Sequence, residues 1–98
     1  MNNLYKTNTL TCNAVQLKNI NDIESFNNEV LETMNINIED YALSSTPKPL
    51  LVIQLEDSDL EEALFMNEGD YFVNIPLFKN PIIIHKEVFE SVFEKVED

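Results

Sequence analysis

The run Leu50-Leu51-Val52-Ile53-Gln54-Leu55 constrains this chain more than any other segment. It is short, almost continuously apolar and partly β-branched, which suits a strand central in its sheet. The rest of the chain then has to supply flanking strands and an apolar cover. Just before it, Ser44-Ser45-Thr46-Pro47-Lys48-Pro49 reads as a loop, because its prolines lack N–H donors and hold the backbone extended.

Other segments supply the flanks. From Thr9 to Val15 small polar and apolar residues alternate, the period of a half-buried strand, with Leu10, Cys12 and Ala14 on its inner face. A helix is predicted next, capped by Asn21 with Glu24 three residues on, and carrying the apolar stripe Ile23, Phe26, Val30 and Leu31. Glu24, Glu29 and Glu32 fall off that stripe and form a solvated acidic face. Ile36 and Ile38 alternate with asparagines and predict a short strand before Glu39-Asp40. Gly69, the only glycine, lies in Asn67-Glu68-Gly69-Asp70 between two apolar runs, which predicts a turn with Gly69 at positive φ. Tyr71 to Ile75 is then a strand, Pro76 and Pro81 bracket a loop, and Pro81 to Ile84 is extended again. Val88, Phe89 and Val92 have helical spacing near the end.

Residues 58–66 divide the argument. Leu60, Ala63 and Leu64 with a Ser58–Glu61 capping box favour a short helix, although isolated helices of that length are marginal in water. A turn at Asp57-Ser58-Asp59 would instead make Leu60 to Phe65 the return strand of a hairpin. Either way the pattern is that of an α+β domain: a small, mostly antiparallel β-sheet with one N-terminal helix and a short C-terminal helix.

Composition narrows the classes of function. The 98 residues, 44% of them hydrophobic, suffice for a single ordered domain spanning 1–98. Eighteen Asp and Glu stand against six Lys and no Arg, a formal net charge of −12. Recognition of nucleic acid rests on neutralising phosphates with Lys and Arg, so direct binding of DNA or RNA is not expected, nor is docking on an anionic membrane. No apolar run approaches the roughly 20 residues that span a bilayer, and Met1 to Lys6 lack the basic and apolar regions of a signal peptide. Cys12 is the only cysteine, so no internal disulfide forms and a reducing cytosol is the natural compartment.

Three short motifs stand in order along the chain: Ala14-Val15-Gln16, Gly69-Asp70-Tyr71-Phe72-Val73, and Phe89-Glu90-Ser91-Val92-Phe93-Glu94-Lys95-Val96. With them the chain resembles a widespread group of small phage and prophage proteins of unassigned function. Members of that group carry Ala-Val/Ile-Gln near the start, Gly-Asp-Tyr/Trp before a strand, and Phe-Glu-x-x-Tyr/Phe-Glu-x-Val at the end. The group usually has glycines after the central strand and before the last motif, where this chain reads Glu56-Asp57-Ser58-Asp59 and Phe78-Lys79-Asn80-Pro81. The resemblance implies a hairpin rather than a helix at 58–66, and a phage gene product at work in the cytoplasm of an infected bacterium. It implies no catalytic residue.

The densest charged feature is Glu56, Asp57, Asp59, Glu61 and Glu62, extended by Glu68 and Asp70. Asp57, Asp59, Glu61 and Glu68 fall at the first, third, fifth and twelfth positions of an EF-hand loop, but the sixth, which needs Gly, is Glu62. A solvated acidic face is the commoner meaning of such a run, and no metal or other cofactor is expected. His85 is the only histidine and follows three isoleucines, which suits a strand-end residue better than a general base. Cys12 reads as a small buried hydrophobe. No Gly-rich phosphate loop is present, and an enzyme is not expected. Phe26, Phe65, Phe72, Phe89 and Phe93 read mostly as core, leaving Tyr5 and Phe78 as anchors for a partner.

Charge and resemblance together point to an acidic interaction protein. An acidic surface can occupy the basic groove of a nucleic-acid-binding protein through the attraction that would otherwise hold phosphates. The expectation is a DNA mimic, an anti-CRISPR or similar anti-defence inhibitor, meeting a host protein through Glu56, Asp57, Asp59, Glu61, Glu62, Glu68 and Asp70. The alternative is a phage accessory protein forming homo-oligomers through a sheet edge or apolar patch.

Overall fold

In the computed structural model, which describes residues 3–44, 49–55, 63–78 and 80–96, the chain begins with β1 (Leu4–Lys6), β2 (Thr11–Gln16), α1 (Ile23–Met34) and β3 (Ile38–Leu43). It continues through β4 (Leu51–Leu55), β5 (Leu64–Met66), β6 (Tyr71–Asn74), β7 (Ile82–Ile84), α2 (Lys86–Val92) and β8 (Glu94–Lys95). This is an α+β fold in which every strand pairing among the described residues is antiparallel. The described strands form two sheets where one was expected: β7-β6-β2-β1-β8 and the smaller β3-β4-β5.

The larger sheet is covered on both faces, which corrects the half-buried strand expected at Thr9 to Val15. On β2, Cys12 and Ala14 point to one side and Val15 to the other, and all three are buried. On β6, Tyr71 and Val73 join the first side and Phe72 the second. The Cys12 side is roofed by Phe89 of α2. The Val15 side meets Ile23, Phe26 and Val30 of α1 together with Leu51, Ile53 and Met66 of the small sheet. Each such side chain contributes about 1.5–3 kcal/mol on full burial, so this shared cluster is what holds the two sheets together. Leu50 to Leu55 is central as expected, as the middle strand β4 of the smaller sheet.

Local details correct several expectations. Asn21 does not cap α1; its N–H is taken by Asn19 Oδ1 at 3.0 Å, and Asp22 caps instead by accepting from Ser25 N at 3.3 Å. Leu31 lies outside the buried stripe and is largely exposed, and Glu29, expected in solvent, is half-buried and accepts from Asn3 Nδ2 at 2.9 Å. The helix ends at Asn35, whose φ of 56° is the left-handed conformation asparagine tolerates. The strand expected at Ile36 begins only at Ile38 and runs on through Glu39 and Asp40. An edge strand allows this, since its charged side chains reach water. Leu64 to Met66 return antiparallel along β4 in place of the helix considered there, a shorter strand than the Leu60 to Phe65 expected; the turn expected at 57–59 and residues 56–62 as a whole lie outside the described residues. The two-residue β8 follows α2 and pairs with β1, an element too short to leave a sequence signal.

Candidate functional site

The three sequence motifs come together in space. Ala14, Val15 and Gln16 pair with Val73, Phe72 and Tyr71 in adjacent strands. Leu17 N donates to Asp70 O at 2.9 Å and Gly69 N to Leu17 O at 2.7 Å, while Gln16 Nε2 reaches Gly69 O at 3.1 Å. Gly69 has a φ of +97°, as its turn required, and an added Cβ there would lie 3.3 Å from Lys86 Cδ. The backbone angle, more than the space, calls for glycine.

The last motif closes over this junction. Phe89 stacks on Tyr71 with ring centroids 4.0 Å apart, and Phe93 stacks on Phe89 at 4.6 Å. Tyr5 meets Phe89 edge-on at 4.9 Å, so it is a half-buried packing residue and not a free anchor. Glu90 Oε2 accepts from the Tyr71 hydroxyl at 2.8 Å. Burial first, and then this bond, raise the Tyr71 phenol well above its ordinary range. The motifs therefore build a packed and hydrogen-bonded joint between β2, β6 and α2.

One titratable pair lies at its rim. Asp70 is buried, with Oδ2 accepting from Asn67 N at 2.9 Å and Oδ1 lying 2.9 Å from His85 Nδ1. A carboxylate only accepts, so Nδ1 carries the hydrogen and Nε2 is left to exchange protons with water. The bond to Asp70 raises the His85 pKa, with the charges of Asp70 and Glu87 adding to it and desolvation opposing. His85 thus stands at the end of β7, as expected. It shares with Ile20, Pro49, Asn67 and Glu68 an open depression of about 540 Å³. That lining offers an acid–base group and a carboxylate but, among the described residues, no hydroxyl or thiol nucleophile. Cys12 is buried in the cluster beneath α2, and burial raises its thiol pKa. No group of three metal-ligating side chains assembles among the described residues.

Of the acids expected to meet a partner, the two that are described differ in placement. Asp70 is spent inside the junction, and Glu68 is exposed while accepting from Ile20 N at 2.9 Å. Glu56, Asp57, Asp59, Glu61 and Glu62 lie outside the described residues. Sequence reading passed over Glu39 and Asp40, which stand exposed on β3. They flag themselves only as charges interrupting an apolar alternation. Around them the small sheet exposes Tyr41, Leu43 and Phe65, the last against its expected place in the core. Leu77 and Phe78 are exposed in the β6–β7 turn.

No family model, curated protein or solved structure matches the chain. No helix among the described residues is long and apolar enough to cross a membrane.

Proposed function

We propose that this is a small phage-encoded interaction protein that binds, one to one, a host protein whose own ligand is nucleic acid. The observation that carries the reading is the surplus of exposed carboxylates. They lie on α1 (Glu24, Glu32), β3 (Glu39, Asp40), the β5–β6 turn (Glu68) and the α2–β8 segment (Glu87, Glu90, Glu94). The described surface sets only Lys6, Lys18, Lys86 and Lys95 against them. Such a field attracts a groove lined with Lys and Arg and raises the rate of encounter with it. An anti-CRISPR or related anti-defence inhibitor, acting as a DNA mimic, is the specific form this takes.

The test is capture from nuclease-treated lysate of a phage-susceptible host, repeated over a salt series and with added DNA. The reading expects a nucleic-acid-handling protein that is released by salt and competed by DNA. Binding should be lost when Asp57, Asp59, Glu61 and Glu62 are all changed to Lys in a variant that keeps its circular dichroism spectrum. Capture unaffected by that change, or recovery only of the chain itself, would remove the proposal.

A further inference from the structure

The outer edge of β3 carries a hydrogen-bond arrangement that singles out one kind of partner. Ser44 N donates to Leu50 O at 2.9 Å, and antiparallel strands bond their neighbour at alternate residues. The even-numbered residues Asp40, Ala42 and Ser44 therefore face β4, and the amides of Tyr41 and Leu43 face outward. Tyr41 N confirms this direction by donating at 2.9 Å to the Oδ1 of its own neighbour, Asp40. The register shifts between Ile38 and Asp40, so Glu39 is the extra residue of a β-bulge. No strand among the described residues pairs with this edge. Tyr41 and Leu43 flank it half-exposed, at 49% and 46%.

We infer that this edge receives an extended segment of a partner protein in which Lys or Arg alternates with apolar residues. The Asp40 carboxylate occupies the Tyr41 donor that an incoming strand must use. A neutral strand would return the carboxylate to water and offer it no new partner, so the exchange gains little beyond the amide bond it replaces. A strand with a cation opposite Asp40 takes over the amide and pairs the freed carboxylate in one exchange. Its apolar residues fall on the opposite face, where Tyr41 and Leu43 wait to be covered.

A second copy of the chain fits badly. Pairing β3 with itself about Tyr41 sets the two Asp40 side chains diagonally across one face, roughly 7–8 Å apart, with no cation between them. Each copy also brings a net charge of −12. The bulge and the capped amide thus deter generic edge pairing while admitting a basic strand. The inference deepens the interaction reading above and rests on it only for the partner's positive charge.

The experiment is amide hydrogen exchange of the full chain with a short capped peptide alternating lysine and valine. A lysine–proline peptide of equal charge is the control, since proline cannot donate to a ladder. The lysine–valine peptide should slow exchange at Tyr41 and Leu43 by about tenfold or more, the factor expected from one added charge-assisted hydrogen bond. The control should leave both amides unchanged. Tyr41→Pro, which removes an amide that does not bond β4, should abolish the effect. Asp40→Asn, which keeps the acceptor but not the charge, should shrink the preference for a lysine–valine over a glutamate–valine peptide at Tyr41, Glu39 and the rest of the acidic chain supplying what remains, and an unchanged preference would overturn the inference.

Protection by both lysine peptides alike, protection confined to α1 or α2, or protection at Tyr41 that grows with protein concentration alone would each overturn the inference. If Tyr41→Pro does not fold, the Asp40→Asn comparison still decides. Target capture that survives Tyr41→Pro, with salt release and competition by DNA intact, would sink the edge while leaving the interaction reading in place.

Discussion

Asp70 and Asp40 both accept a hydrogen bond from a nearby backbone amide, yet they belong to regions with opposite roles. Asp70 is buried, ties the 67–70 turn to His85 and sits beside the aromatic column of Tyr71, Phe89 and Phe93. Asp40 is exposed and caps an amide that looks out from the edge of the small sheet. In the first region each named polar group is paired with another part of the same chain. In the second, backbone donors and apolar side chains are turned toward solvent. The first region is closed by the chain's own groups, whereas the second leaves a sheet edge and apolar side chains open to water.

Replacing the centre of the aromatic column should break the first region. Phe89 is 1% exposed and stacked on both sides. Phe89→Ala should cost about 3–5 kcal/mol in urea unfolding, a large part of a small domain's stability. A loss below about 1 kcal/mol would mean that the column is not what joins α2 to the sheet.

Gly69→Ala should cost less, about 1–3 kcal/mol, because a side chain must then adopt the +97° backbone angle. A neutral result in the same assay would show that the turn can relax.

The Asp70–His85 pair gives a smaller effect with a definite pH signature. His85 is held above its ordinary 6.5 in the folded chain. The pair's contribution is therefore complete below about 6.5 and is lost as pH rises through the raised value. Asp70→Asn should return the His85 titration toward 6.5 by NMR and flatten stability across that window. A His85 pKa that stays raised in this variant would assign the shift to Glu87 instead.

On the exposed side of the small sheet, away from its buried Leu51, Ile53 and Met66, truncating an aromatic should do little. Phe65 is 55% exposed, and Phe65→Ser should change stability by less than about 1 kcal/mol. A larger loss would mean that the outer face of this sheet is part of the core.

Much of this division was legible in the residues, for reasons that differ by element. Leu51 to Leu55 declared itself by continuous apolar character, and Gly69 by being the one residue suited to a positive φ between two strands. Asn21 and Asp22 are equally good caps on paper, and only the turn that engages Asn21 decides between them. That the strands separate into two sheets was not readable, because each strand's pattern shows that it has a buried face but not which partner buries it. Asp70 and Glu68 looked alike within an acidic run, and burial distinguished them. Glu39 and Asp40 were missed because charges inside a strand are sensible only on an edge, and edges are set by topology.

The division itself is tested most directly by amide hydrogen exchange of the free chain at low concentration. The account predicts the slowest amides in β2 and β6, around Ala14 to Gln16 and Tyr71 to Val73, exchanging only through global unfolding. The outward amides of Tyr41 and Leu43 should exchange orders of magnitude faster, by local opening. Equal protection of β3 and β2, or rapid exchange through local opening at the β2–β6 pairing, would contradict it.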